Sequence, residues 1–153
     1  MTTAEEGVAG RTKVHRATEL LRELITANEA FTEHMGRQLS VNPTDLSAMT
    51  HLISGGPLGP TELSRRLQLS TAAVTTVVDR LESAGHVHRA QHPTDRRSVV
   101  IVPSPASVQQ AMGVLIPMIT GIDNVISEFP EDQRDVINAY LERVVDVYQS
   151  QVP

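Results

Sequence analysis

Cysteine is absent from this 153-residue sequence. That excludes disulfides, thiolate zinc sites and a cysteine-based redox sensor, and it removes any redox reason to place the protein outside the cell. Tryptophan is absent too, and two Tyr and two Phe bring aromatics to only 3% of the chain, so a core must be built from aliphatic side chains. Lys13 is the only lysine among 13 basic residues. Cationic chemistry therefore falls to arginine, whether by functional choice or by compositional bias. Long apolar runs are missing: the longest near-apolar stretch, Gly113 to Ile122, is too short to cross a bilayer and contains Pro117. Residues 1–12 are polar, lack the apolar stretch of a signal peptide and read as disordered. These absences point to a cytoplasmic protein without a membrane partner.

What is present suits one globular domain. The length allows a proper core, and 40% apolar with 20% charged residues is the balance of a soluble fold. The net charge of -5 argues against a general nucleic-acid coat, but its distribution is uneven. Residues 60–97 carry six arginines against four acids, whereas residues 98–153 carry two against seven. The middle of the chain is its only net-positive segment.

Apolar periodicity organises the chain. Leu20, Leu21, Leu24, Ile25, Phe31 and Met35 recur at helical spacing from Lys13 to Leu39, which predicts one helix of roughly 40 Å. That is longer than a small domain can cover, and it reads either as a dimer-forming helix or as an exposed one with a narrow apolar stripe. A second helix opens at Asn42 or Thr44 and ends at Gly55-Gly56-Pro57. Gly59-Pro60 begins a short helix to Leu67. After the turn Gln68-Leu69-Ser70, with Ser70 as N-cap, another helix runs from Thr71 to Ala84 and stops at Gly85. Val87 to Ala90 and Ser98 to Val102 form a hairpin around His92-Pro93-Thr94-Asp95-Arg96-Arg97. Ser104-Pro105 restarts helix to about Ser127, with a bend expected at Pro117. A last helix follows Phe129-Pro130-Glu131, and its apolar face from Val136 to Tyr148 is too wide for a surface helix.

Short helix, turn, second helix and basic-tipped hairpin make a winged helix-turn-helix. The fold class expected is mainly α (α+β), with a two-stranded wing over residues 44–103 flanked by dimerisation helices at 13–39 and 105–150, all within one domain spanning 1–153. The arrangement suits DNA, with a helix for the major groove and a wing for phosphates or the adjacent minor groove.

The sequence resembles the MarR family of bacterial transcriptional regulators. The matching pieces are Glu62-Leu63, Leu69-Ser70, Val78-Asp79-Arg80-Leu81-Glu82, Gly85, and Asp95-Arg96-Arg97 at the wing. Together with the helices before and after them, they extend the resemblance over nearly the whole chain. It implies a homodimer on pseudo-palindromic double-stranded DNA, with a repressor role and release by a small, often aromatic, effector. Members often carry a basic residue where this chain has Thr76, so strongly guanine-directed reading is not implied.

The DNA-contacting candidates follow. Thr71, Ala72, Thr75 and Thr76 can approach base edges, with Thr methyls toward thymine methyls and hydroxyls toward base or phosphate. Arg80 serves phosphate or base, depending on helix tilt. Asp95 can fix the Arg97 guanidinium by a charge-assisted bond before it enters a groove, and Arg96 suits phosphate. Arg65 and Arg66 are either backbone contacts or a solvated helix face. Phe31, His34, Met35, His51, Met112 and Ile116 are candidates to line an effector pocket, or simply to pack helices. His86, His88 and His92 lack the companions of a metal site, so no metal or cofactor is expected. Nothing resembles a catalytic pair or a phosphate loop, so no enzyme is expected. The alternative is a winged-helix protein-interaction module without DNA binding.

Overall fold

The computed structural model describes residues 14–152. The order of elements is α1 (Arg16–Leu39), α2 (Pro43–Gly55), α3 (Pro60–Leu67), α4 (Thr71–Ser83), β1 (Val87–Gln91), β2 (Val99–Pro103), α5 (Pro105–Ser127) and α6 (Glu131–Ser150). The expected disorder of residues 1–12 and a helix start at Lys13 lie outside the described residues. Two compact units emerge, one through Ser104 and the other from Pro105 onward.

Local chemistry sets the helix boundaries. Asn42 is the N-cap of α2: its Oδ1 accepts from the Asp45 N–H at 2.9 Å, and Pro43 follows at the first helical position. Helix α4 starts the same way, with Ser70 Oγ accepting from the Ala73 N–H at 3.1 Å. Between α3 and α4, Gln68 takes the left-handed conformation, and its N–H returns to the Arg65 carbonyl. Gly85, at φ 79°, turns the chain out of α4 into the wing, a conformation that costs glycine nothing.

The first unit is held by an aliphatic core. Met49 and Leu52 of α2, Leu63 of α3, Val74, Val77, Val78 and Leu81 of α4, Val87 of β1 and Ile101 of β2 pack together, joined by Leu58. No aromatic residue belongs to this cluster, in keeping with the composition. The wing is an antiparallel pair in which Val87 faces Pro103 and Gln91 faces Val99. Each strand begins or ends a residue away from the sequence expectation. Leu58 adds an isolated bridge to Ile101, with reciprocal N–H···O bonds of 3.3 and 2.8 Å. That bridge ties the wing to the segment before α3 and so fixes the wing beside the helix pair.

Helix α1 leaves Leu20, Leu24 and Ile25 exposed along its amino-terminal half. In the second unit, α5 continues through Pro117 as an unbroken helix to Ser127, and α6 exposes Val136, Tyr140, Leu141, Val145 and Tyr148. Among the described residues no helix is long and apolar enough to cross a membrane.

Candidate nucleic-acid interface

Helix α4 buries one face and offers the other. Val74, Val77, Val78 and Leu81 are inward, while Thr71, Ala72, Thr75, Thr76, Asp79 and Arg80 are exposed. The inward spacing at i, i+3, i+4 and i+7 fixes this rotation. Thr75 Oγ1 donates to the Thr71 carbonyl at 3.0 Å, and Thr76 Oγ1 to the Ala72 carbonyl at 3.3 Å. Both hydroxyls thus bond back onto their own helix.

Arg80 lies at the edge of this face. Its guanidinium forms a bidentate pair with Asp45 of α2, at 2.6 and 3.1 Å. The Asp45 side chain is 7% exposed against 47% for Arg80, so the acid is interior and the guanidinium reaches in from the surface. The bond to Asp45 raises the Arg80 pKa above its ordinary value. Asp45 lies in the first turn of α2, a place where an acid needs no distant partner. Its partner lies 35 positions away, and no local pattern signals such a pair.

Arg65 and Arg66 of α3 converge on Glu62. Arg65 holds the carboxylate through two N–H···O bonds of 2.9 and 2.7 Å, and Arg66 adds a third at 2.7 Å. These hydrogen bonds, with the two positive charges, lower the Glu62 pKa to about 2. Arg65 remains 72% exposed and Arg66 32%.

A second set of ion pairs joins wing to helix. Arg89 of β1 bonds Asp79 at 2.7 Å and also pairs with Glu82, whose carboxylate further accepts the Arg89 backbone N–H at 3.1 Å. The bond to Asp79 is the main cause raising the Arg89 pKa, and Glu82 adds to it. Sequence reading missed this staple. The available signal was a pair of acids at i and i+3 on the reading helix, followed by an arginine on the adjoining strand.

At the wing tip Asp95 takes a different part from the one expected. Its carboxylate accepts from the Arg97 backbone N–H at 3.0 Å and from Ser98 Oγ, and these bonds, the Ser98 one foremost, lower its pKa. Asp95 therefore shapes the turn, and the Arg97 side chain is not held by it. His92 Nδ1 closes the other half of the tip, accepting from the Thr94 N–H at 3.3 Å. Arg96 and Arg97 are exposed and, among the described residues, have no acidic partner.

Of the effector candidates, Phe31, His34 and Met35 lie on α1 and His51 on α2, while Met112 and Ile116 lie on α5 in the second unit. Met35 is buried, Phe31, His51 and Met112 are half-buried, and His34 and Ile116 are exposed. Among the clefts on the described residues of the first unit, two lie beside α1, α2 and α4. One, of about 640 Å³, is lined by Ser40, Asn42, Asp45, Thr76 and Arg80 among others. The second, of about 470 Å³, is lined by residues including Thr32, Gly36, Val41 and Leu46. None of the six effector candidates lines either. No group of three or more His, Cys, Asp or Glu placed to hold a metal ion occurs among the described residues.

Comparison with known proteins agrees with this geometry. The MarR family model matches residues 41–99. An uncharacterised HTH-type transcriptional regulator of Bacillus subtilis, YcgE, is 34% identical over 136 residues, spanning 89% of this chain and 88% of that one. A MarR-like transcriptional regulator from Thermotoga maritima superposes with a TM-score of 0.68 at 24% identity, covering 89% of this chain and 99% of the other. The S. aureus MepR–DNA complex superposes with a TM-score of 0.65 at 14% identity, over 86% and 98% of the two chains. At these identities the two structures speak for the fold alone.

Proposed function

The chain belongs to the MarR family of transcriptional regulators, and on that footing we propose that it is a sequence-specific DNA-binding repressor, working as a homodimer in the cytoplasm and released from its operator by a small ligand. One observation carries the DNA contact. Of the six arginines between residues 60 and 97, Arg65, Arg66, Arg80 and Arg89 are in ion pairs within the unit, whereas Arg96 and Arg97 project from the wing tip without an acidic partner among the described residues. An unpaired guanidinium on a rigid turn beside an exposed helix face is suited to a narrow minor groove flanking the helix in the major groove. Thr71, Ala72, Thr75 and Thr76 supply that face, and Arg65 and Arg66 line the neighbouring helix for phosphates.

Dimerisation follows from exposed apolar surface. Leu20, Leu24 and Ile25 on α1, and the Val136–Tyr148 face of α6, are larger apolar stripes than a lone soluble chain carries without purpose. A second copy covers them and presents two readers to a pseudo-palindrome. Ligand release is tested by adding small aromatic compounds to the protein–operator complex, and dissociation at concentrations that also raise the protein's Tm is the outcome that fits.

The decisive experiment is a mobility-shift titration against DNA upstream of the protein's own gene, with Arg97→Ala beside the wild type. The wild type forms a sequence-selective complex, and the variant binds roughly ten-fold more weakly at moderate salt. Equal affinities would remove the wing from the reading. The absence of any selective complex at low salt would favour a protein-interaction module instead.

A further inference from the structure

Resting on the DNA-binding reading above, we propose that the reading helix selects A·T base pairs by the C5-methyl group of thymine, through Ala72, Thr75 and Thr76, and makes no donor contact to guanine. The argument is an accounting of donors. A threonine hydroxyl has one proton. In Thr75 and Thr76 that proton is committed to the carbonyls of Thr71 and Ala72, at 3.0 and 3.3 Å. With each oxygen turned back onto the helix, the methyl is the outward substituent, and the oxygen keeps only lone pairs to offer.

Ala72, Thr75 and Thr76 are related as i, i+3 and i+4, so their methyl groups form one patch, and all three residues are exposed. The long donor that could have supplemented them, Arg80, is anchored on Asp45 through Nε and Nη2, which leaves it three N–H groups but ties the guanidinium to α2 rather than to the methyl patch. Asp79, next on the same stripe, is acceptor-only and bonded to Arg89. Ser70 and Thr71 sit at the amino-terminal end, where hydroxyls and free helix N–H groups suit phosphate rather than a base edge.

A patch of methyls and lone pairs fits only some base edges. In the major groove guanine shows two acceptors, adenine an acceptor and an amino donor, and thymine an acceptor and a methyl. Guanine finds no complement on this patch. The A·T pair offers both things the patch can meet, a methyl for packing and an amino group for a threonine oxygen. Cytosine offers the amino group without the methyl.

The test uses an operator obtained by selecting protein-bound duplexes with the full-length protein. Thymines in the half-sites are then replaced by uracil, which lacks only the C5-methyl and leaves base pairing and the minor groove unchanged. The wild type binds the uracil duplex about ten-fold more weakly. Thr75→Ser/Thr76→Ser, which keeps the hydroxyls and deletes two of the three methyls, loses most of the thymine-over-uracil preference. Thr75→Val/Thr76→Val, which keeps methyls and deletes hydroxyls, retains it. A selective complex that binds both duplexes equally, or a preference undiminished in the serine variant, overturns the inference and leaves the DNA-binding reading intact. Failure to select any sequence overturns the DNA-binding reading and the inference with it.

Discussion

Asp45 and Arg80 show how one pair of side chains governs the placement of the reading helix. The carboxylate is interior and the guanidinium half-exposed, so losing either partner has unequal consequences. Without Arg80, a buried carboxylate is left without its cation. Arg80→Ala should therefore lower Tm clearly, whereas Arg96→Ala, which breaks no ion pair among the described residues, should leave it near the wild-type value. The double variant Asp45→Ala/Arg80→Ala should recover part of the loss, because removing both charges leaves no buried group unsatisfied. Thermal melts of these variants, the wild type and Asp45→Ala check this, and additive losses in the double variant would show that the pair is not coupled. The same pair marks a limit of sequence reading. Arg80 was legible as an exposed residue of the reading helix, but its engagement was not, because the partner lies on another helix and only the fold brings the two together. Asp95 is a similar case: its part at the wing tip was legible, but whether it would hold the guanidinium or the backbone N–H of Arg97 depended on the turn geometry.

At the scale of elements, the helices and the wing were legible because their signals are local. Ser70 caps α4, Gly85 ends it and Pro60 begins α3, each by chemistry contained within four residues. The Leu58–Ile101 bridge and the Arg89 staple were not legible, since both join segments that only the core positions. Helix α3 carries a pH signature. Glu62 titrates at about 2 in the folded chain instead of its ordinary 4.5. A lowered folded pKa means that the Glu62–arginine cluster adds stability above pH 4.5, and that this contribution fades as pH falls from there toward 2. Because the cluster lies at the surface, its effect is modest and weakened by salt. Glu62→Gln should accordingly have a lower urea midpoint than the wild type at pH 7, with the gap closing at pH 2.5. A gap that stays constant across that range would assign the loss to packing.

The whole molecule joins a winged reader in the first unit to helices whose apolar faces are uncovered in a single chain. Its net charge of -5 would oppose DNA binding if spread evenly, yet Asp45, Glu62, Asp79 and Glu82 of the winged portion are engaged by its own arginines, and the two wing-tip arginines remain outward. In the homodimer proposed above, symmetry would supply the rest, with two copies presenting two reading helices and two wings. The solution mass should therefore be twice the 16.7 kDa of one chain, and sedimentation at micromolar concentration checks it. The most direct measurement is footprinting on the DNA sequence that the full-length protein enriches from a random pool. A symmetric reader predicts an inverted repeat whose half-site centres lie about one helical turn apart, roughly 34 Å. No enriched sequence at low salt, or a single asymmetric half-site, would contradict it.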